Sequence, residues 1–217
     1  MYNSPNKNNY IRKYKMTYKD PLIWTKKNEL SSDFCNNTIN KFEDDPRKFQ
    51  GLIGDKRLVN EEVKKSTDLS ISKYEEWKNE DNVFFHSINT CLLEYYQFCN
   101  QYGPYFPKAF IGASSLQQVL TQDSGYQIQR TYPGEYYHWH HDGMIINNTI
   151  RVLTFIWYLN DIKYDGYTEF KNGMKIQPEQ GKLLIFPALW SYIHRGFPPK
   201  SETKYICTGW IHTEITI

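Results

Sequence analysis

Residues 151–160 read Arg-Val-Leu-Thr-Phe-Ile-Trp-Tyr-Leu-Asn. As an extended strand this run is apolar on both faces: Val152 and Ile156 project one way, Leu153, Phe155, Trp157 and Leu159 the other. A strand of that kind needs cover on both sides. Around it the pattern predicts further short strands at 125–132, 136–142, 167–170, 182–186 and 204–213. Strong turn formers separate them, at Pro133-Gly134, Asp142-Gly143, Asn147-Asn148, Asp165-Gly166, Asn172-Gly173 and Pro198-Pro199. Many short strands without intervening helices indicate a sandwich or barrel, of which a jelly roll is one solution.

Residues 30 to 104 have a different texture. Ser31, Ser32 and Asp33 can cap a helix running through Phe34, Ile39 and Phe42 to a stop at Asp44-Asp45-Pro46. Residues 52–80 are charged, with few large apolar side chains, and predict a long surface loop with little regular structure. From Asn82 to Tyr102 the apolar positions Val83, Phe84, Ile88, Cys91, Leu92, Tyr95, Tyr96 and Cys99 suit an amphipathic helix ending at Gly103-Pro104. These helices are the natural outer cover for 151–160. The expectation is therefore one integrated domain over 1–217, with about 1–110 as helical and loop support and about 111–217 as the core carrying the site.

Composition narrows the function classes. The 26 basic and 24 acidic residues leave a net charge of +2, and the strand region holds no dense Lys/Arg cluster, so no nucleic-acid partner is expected. The local basic bias of the first thirty residues (Lys7, Arg12, Lys13, Lys15, Lys19, Lys26, Lys27) reads as a solvated terminus. The N-terminus has no apolar signal-like region, and the longest apolar stretch, 152–159, is too short to span a bilayer. Four scattered cysteines, Cys35, Cys91, Cys99 and Cys207, without a C-x-x-C pair, read as reduced thiols, which gives a cytoplasmic expectation.

The densest chemical signal is His138-Trp139-His140-His141-Asp142. Two apart in a strand, His140 and Asp142 project from one face. With a second imidazole they complete a 2-His-1-carboxylate triad, the open arrangement of non-haem iron oxygenases. His194 follows the 182–186 strand and its stop at Pro187, where a chain folding back brings it opposite His140. Ten residues on, Lys204 opens the last strand and shares a face with Ile206, Thr208 and Trp210. Either Lys204 sits at the strand edge and snorkels into solvent, or its ammonium is buried and requires a partner charge.

The ordered set resembles the iron(II)/2-oxoglutarate dioxygenases, within them the prolyl-4-hydroxylase-like group. Its residues span about 125 to 210: Tyr132-Pro133-Gly134, Glu135-Tyr136-Tyr137 leading to His140 and Asp142, then Arg151, Thr154, Trp157-Tyr158-Leu159-Asn160, Gly166, Thr168, Phe170, Gly181, Phe186-Pro187, His194, Lys204 and Trp210. The resemblance implies a mainly β (α+β) fold, a double-stranded β-helix (jelly-roll) core with supporting N-terminal helices. It implies Fe(2+) on His140, Asp142 and His194, and 2-oxoglutarate on Lys204 with Thr208, Tyr158 and Tyr132 nearby. It also implies O2 as oxidant, ascorbate as a candidate reductant, and release of succinate and CO2. The expected substrate is a prolyl residue of a peptide or protein, with Arg130, Tyr137, Trp139 and Trp190 as candidate substrate contacts. Two rivals stand beside it: a 2-oxoglutarate oxygenase of a free amino acid, a lysyl residue or an alkylated nucleobase, and a non-catalytic cupin-like metal-binding jelly roll.

Overall fold

The computed structural model describes residues 20–54, 56–101, 123–146 and 148–214. The basic positions from Lys7 to Lys19, the helix stop at Gly103-Pro104 and Asn147 lie outside them. In chain order the elements are β1 (Trp24–Lys26), α1 (Ser32–Asp44), β2 (Phe49–Gln50), β3 (Leu52–Ile53), β4 (Leu58–Val59), β5 (Thr67–Ser70), α2 (Lys78–Asn100) and β6 (Gln127–Thr131). They continue with β7 (Tyr137–His140), β8 (Ile145–Ile146), β9 (Thr149–Tyr158), β10 (Thr168–Phe170), β11 (Lys175–Ile176), β12 (Leu183–Pro187), β13 (His194–Gly196) and β14 (Lys204–Glu214).

Two antiparallel sheets carry the fold, which is mainly β with few helices. The larger runs β1-β12-β9-β14-β6-β5-β2, with β8 on β9, and the smaller runs β11-β10-β13-β7. β9, the 151–160 run of the sequence, lies between β12 and β14, as its two apolar faces require. Phe155, Trp157 and Leu159 join the core beneath the helices. Ile156 and Tyr158 join a second cluster with Phe170, Leu184 and Phe186.

Both predicted helices form. Ser31 caps α1 by accepting from the Phe34 amide at 3.2 Å. α2 starts a turn earlier than its apolar pattern suggests and seats Phe84 against Trp157 at 5.0 Å between ring centroids. Trp157 donates its indole N–H to Ser87 Oγ at 3.1 Å, so this large core side chain is tied to the helix as well as packed on it.

Residues 52–80 depart from the loop expectation. They contain the β3–β4 hairpin, β5, two short 3₁₀ turns and the start of α2. β5 is not a surface segment: it pairs with β6 in the larger sheet and buries Asp68 and Leu69 completely. Charge misled the reading because Lys64 and Asp68 neutralise each other inside the protein, at 2.6 Å. The three-residue strand β1 and the two-residue strands β2, β8 and β11 also have no periodicity to reveal them.

Backbone freedom matters at two glycines. Gly181 has φ +75°, and a Cβ there would lie 2.2 Å from the Leu30 carbonyl oxygen, where the turn before β12 meets the entry to α1. Gly209 in β14 lets Phe155 and the Gly125 carbonyl close to 2.5 Å of where a Cβ would stand.

Truncating Trp157 to Ala removes the side chain that joins sheet to helix. The expected loss is about 3–5 kcal/mol of stability, read as a shift of the urea midpoint with little change in slope.

Candidate active site

The site is built where the two sheets face each other. β7 ends at His140, and Asp142 follows in the irregular segment before Gly143. β13 pairs antiparallel with β7, with His194 directly opposite His140. His140 Nε2 lies 3.6 Å from Asp142 Oδ1, and His194 Nε2 lies 3.6 Å from Asp142 Oδ2. All three ligand-type atoms lie within 4.8 Å of one another, the one such group among the described residues.

Each member is held in a state suited to binding a cation. His140 Nδ1 donates to the His138 carbonyl at 2.7 Å, and His194 Nδ1 to the Tyr192 carbonyl at 3.0 Å. Those bonds place the proton on Nδ1 and leave both Nε2 lone pairs aimed at Asp142. Burial, reinforced by His194, drives the His140 pKa down and keeps that imidazole neutral. Burial alone would raise the Asp142 pKa, but the neighbouring histidines, a 2.7 Å hydrogen bond from Thr154 Oγ1 and the Arg151 charge hold it below the usual carboxylate range. A carboxylate and two imidazoles in a buried cluster fit a divalent iron, which leaves further coordination positions open.

The cluster opens on a cavity of about 60 Å³. β14 forms one wall, and Lys204, Ile206, Thr208 and Trp210 all face it, as strand alternation requires. Lys204 is 4% exposed, and burial lowers its pKa to about 8. Its hydrogen-bond partner is the Gly166 carbonyl, at 3.0 Å. The Asp165-Gly166 turn, with φ of 60° and 64°, presents that carbonyl. A buried ammonium facing a cavity with only a carbonyl beside it is a site for an anion.

The other predicted residues divide. Tyr137 lines the cavity and stacks on His140, centroids 3.5 Å apart. Thr208 lines it while donating to the Phe155 carbonyl. Tyr158 is fully buried one layer back, its hydroxyl 2.7 Å from that of Thr168, which does line the cavity. Tyr132 is 43% exposed and lies outside the cavity, and Arg130 stacks on it while ion-pairing with Glu43; the preceding Thr131 lines the cavity instead. Trp139 projects away from the cavity, between the cations of Lys171 and Arg195, on the opposite side of β7 from His140, while an irregularity in the β7–β13 register brings Tyr137 to the His140 side. Trp190 is 75% exposed on the loop before β13, outside the cavity lining.

Three further polar side chains, Arg151, Trp210 and His212, gather beside the cavity. The Arg151 guanidinium stacks 3.7 Å over Trp210, and His212 pairs with Arg151 in the sheet register. Arg151 Nε, Trp210 Nε1 and His212 Nε2 are buried without a hydrogen-bond partner among the described residues. Lys64, from the segment read as loop, also lines the cavity.

A family model for the 2OG-Fe(II) oxygenase superfamily matches residues 126–212, the span that contains the triad and Lys204. This is a family of enzymes that use iron(II), 2-oxoglutarate and dioxygen. The chain is similar to a candidate prolyl 4-hydroxylase of Acanthamoeba polyphaga mimivirus, 28% identical, with 81% of this chain and 71% of the relative covered. A PKHD-type hydroxylase of Synechococcus sp. (strain CC9605) is 29% identical over 41% of each chain. In fold the chain is similar to the viral collagen prolyl hydroxylase of Paramecium Bursaria Chlorella virus-1 in its 2OG complex (TM-score 0.57, 21% identity, 88% and 96% covered). It is also similar to a Trichoplax adhaerens prolyl hydroxylase bound to a hypoxia-inducible-factor peptide fragment (TM-score 0.63, 16% identity, 87% and 82% covered). These neighbours have jelly-roll-type folds.

Thr154→Val removes the hydrogen bond that orients Asp142 while keeping the volume. In a cobalt(II) titration followed by visible absorbance, metal affinity is expected to fall about 10–100-fold, with the unfolding midpoint nearly unmoved.

Proposed function

We propose that this oxygenase hydroxylates a prolyl residue of a peptide or protein, with iron(II) held by His140, Asp142 and His194 and 2-oxoglutarate anchored by Lys204. The observation that carries the reading is one cavity holding both the His-Asp-His cluster and a buried ammonium whose hydrogen-bond partner is a single carbonyl. A metal-binding jelly roll without catalysis has no need of that second feature.

In this reading iron(II), with 2-oxoglutarate and dioxygen, supplies the oxidising power that yields hydroxylated substrate, succinate and carbon dioxide. The residues of the chain supply position, charge and dryness. Lys204 pairs with the distal carboxylate, a point charge deep in the cavity, while the Thr168 and Thr208 hydroxyls line the path. Tyr158 positions Thr168 from behind. Ile156, Ile206 and Trp210 keep the cavity apolar around the reacting groups. Tyr137 remains the one predicted substrate contact on the cavity wall. Ascorbate as reductant belongs to this proposal. So does a cytoplasmic setting, which four free, buried thiols suit. No helix among the described residues is long and apolar enough to cross a membrane.

Anaerobic addition of iron(II) and then 2-oxoglutarate is expected to give a visible charge-transfer band. The band should vanish in Asp142→Ala and need about 100-fold more cosubstrate in Lys204→Ala. With oxygen, succinate should form in step with hydroxylation of a proline-containing peptide; a band with no peptide turnover across a proline panel overturns the prolyl assignment.

Charge on Lys204 sets a pH dependence. The ammonium is present below its lowered pKa and lost above it, so 2-oxoglutarate affinity should weaken as pH rises through about 8. Lys204→Arg should flatten that profile over about pH 7 to 9, since a guanidinium stays protonated.

A further inference from the structure

Lys64 is a second buried cation on the same cavity. Its side chain is 3% exposed, and its Nζ lies 2.6 Å from Asp68 Oδ2 and 5.2 Å from the centroid of Tyr137, the ring stacked on His140. Asp68 is fully buried and saturated, accepting also from Gln127 Nε2 at 2.6 Å and Ser66 Oγ at 2.8 Å. The ammonium is not saturated. It has three N–H donors, and Asp68 takes one.

Placement at this point requires a built strap. The segment before β5 is zipped onto the free edge of β7: Lys65 N donates to the Tyr136 carbonyl and His138 N to the Val63 carbonyl, each at 2.8 Å. Lys64 bridges Tyr137 in the register. Gly51 permits the crossing, since a Cβ there would lie 2.4 Å from Ser66 Oγ and 2.9 Å from Lys64 Cε. On the far side lies a second cavity of about 100 Å³, reaching Val59, Glu61 and Glu135. Lys64 and Ser66 line both cavities and form the threshold between them.

We propose that Lys64 is a substrate-positioning residue: its spare N–H donors bind a main-chain carbonyl of a peptide that crosses from the metal-side cavity into the second one. The inference rests on the peptide reading above and adds the path of the chain and its anchor. Asp68 already cancels the Lys64 charge, so the site favours a neutral carbonyl over a carboxylate. That separates its role from that of Lys204, which has no counter-ion.

The test is binding of a short fluorescein-labelled peptide with one central proline, followed by anisotropy. Lys64→Met should weaken binding about tenfold or more, Lys64→Arg should recover most of it, and the 2-oxoglutarate band should form at the same cosubstrate concentration in all three proteins. Of two peptides truncated on one or the other side of the proline, one should lose a similar factor in wild type and lose nothing further in Lys64→Met. A merely structural role would shift the cosubstrate titration as well and would not discriminate between the truncations. If Lys64→Met does not fold, Lys64→Met/Asp68→Asn removes both charges together and takes its place. Hydroxylated peptide bound equally by wild type and the Met variant overturns the role of Lys64 alone. A wild-type protein that forms the band but binds no peptide overturns the prolyl reading and this inference with it.

Discussion

The pairing of His194 against His140 across two short strands is the constraint on which the site depends. β7 and β13 are four and three residues long, too short to hold their own register. Their alignment is imposed from outside. β10 pairs along β13 through Phe170 opposite His194, and Phe170 packs edge-on against Phe186 of the facing sheet at 4.9 Å. Phe186 in turn packs on the His194 ring at 4.7 Å. The imidazole is therefore fixed by apolar contact on one side and by its bond to the Tyr192 carbonyl on the other. A slip of one residue would turn His194 to the outer face and disperse the cluster.

Around that cluster the interior is more charged than a small jelly roll needs for stability. Asp142, Lys204, Lys64 and Asp68 are all buried. Buried charge is weak evidence of stabilisation and is tolerated where each group has a defined partner. Asp68 meets that requirement inside the protein, with three donors. Asp142 has Thr154 and the two imidazoles, and Lys204 has one carbonyl. The unfilled valences concentrate in the cavity, at the metal cluster, at Lys204 and at Lys64. That concentration distinguishes a site from a core ion pair.

The 204–213 strand shows how far pattern can reach. Strict alternation is a property of the backbone, so Lys204, Ile206, Thr208 and Trp210 could be assigned to one face from the sequence, and all four line the cavity. The same rule, applied between His140 and Asp142, reached the right grouping although the strand ends at His140; the chain stays extended long enough for the carboxylate to follow. Alternation also bears on Trp139, which must point away from the face of His140, and it does so, between two cations. Tyr132 and Trp190 were different in kind, since turns and loops carry no period from which to deduce direction.

The sequence by itself determined the two-faced strand at 151–160, the two helices that cover it, and the identity and spacing of His140, Asp142, His194 and Lys204, because all of these follow from local geometry and side-chain chemistry. Only the tertiary structure decided that 67–70 is a sheet strand, that Lys64 enters the cavity, and that Arg151, Trp210 and His212 gather beside it. Those placements join residues far apart in the chain, and the hydrophilic run before β5 conceals its partner until Lys64 and Asp68 are buried together. Periodicity reports which way a side chain points, but which surface it meets depends on non-local strand pairing.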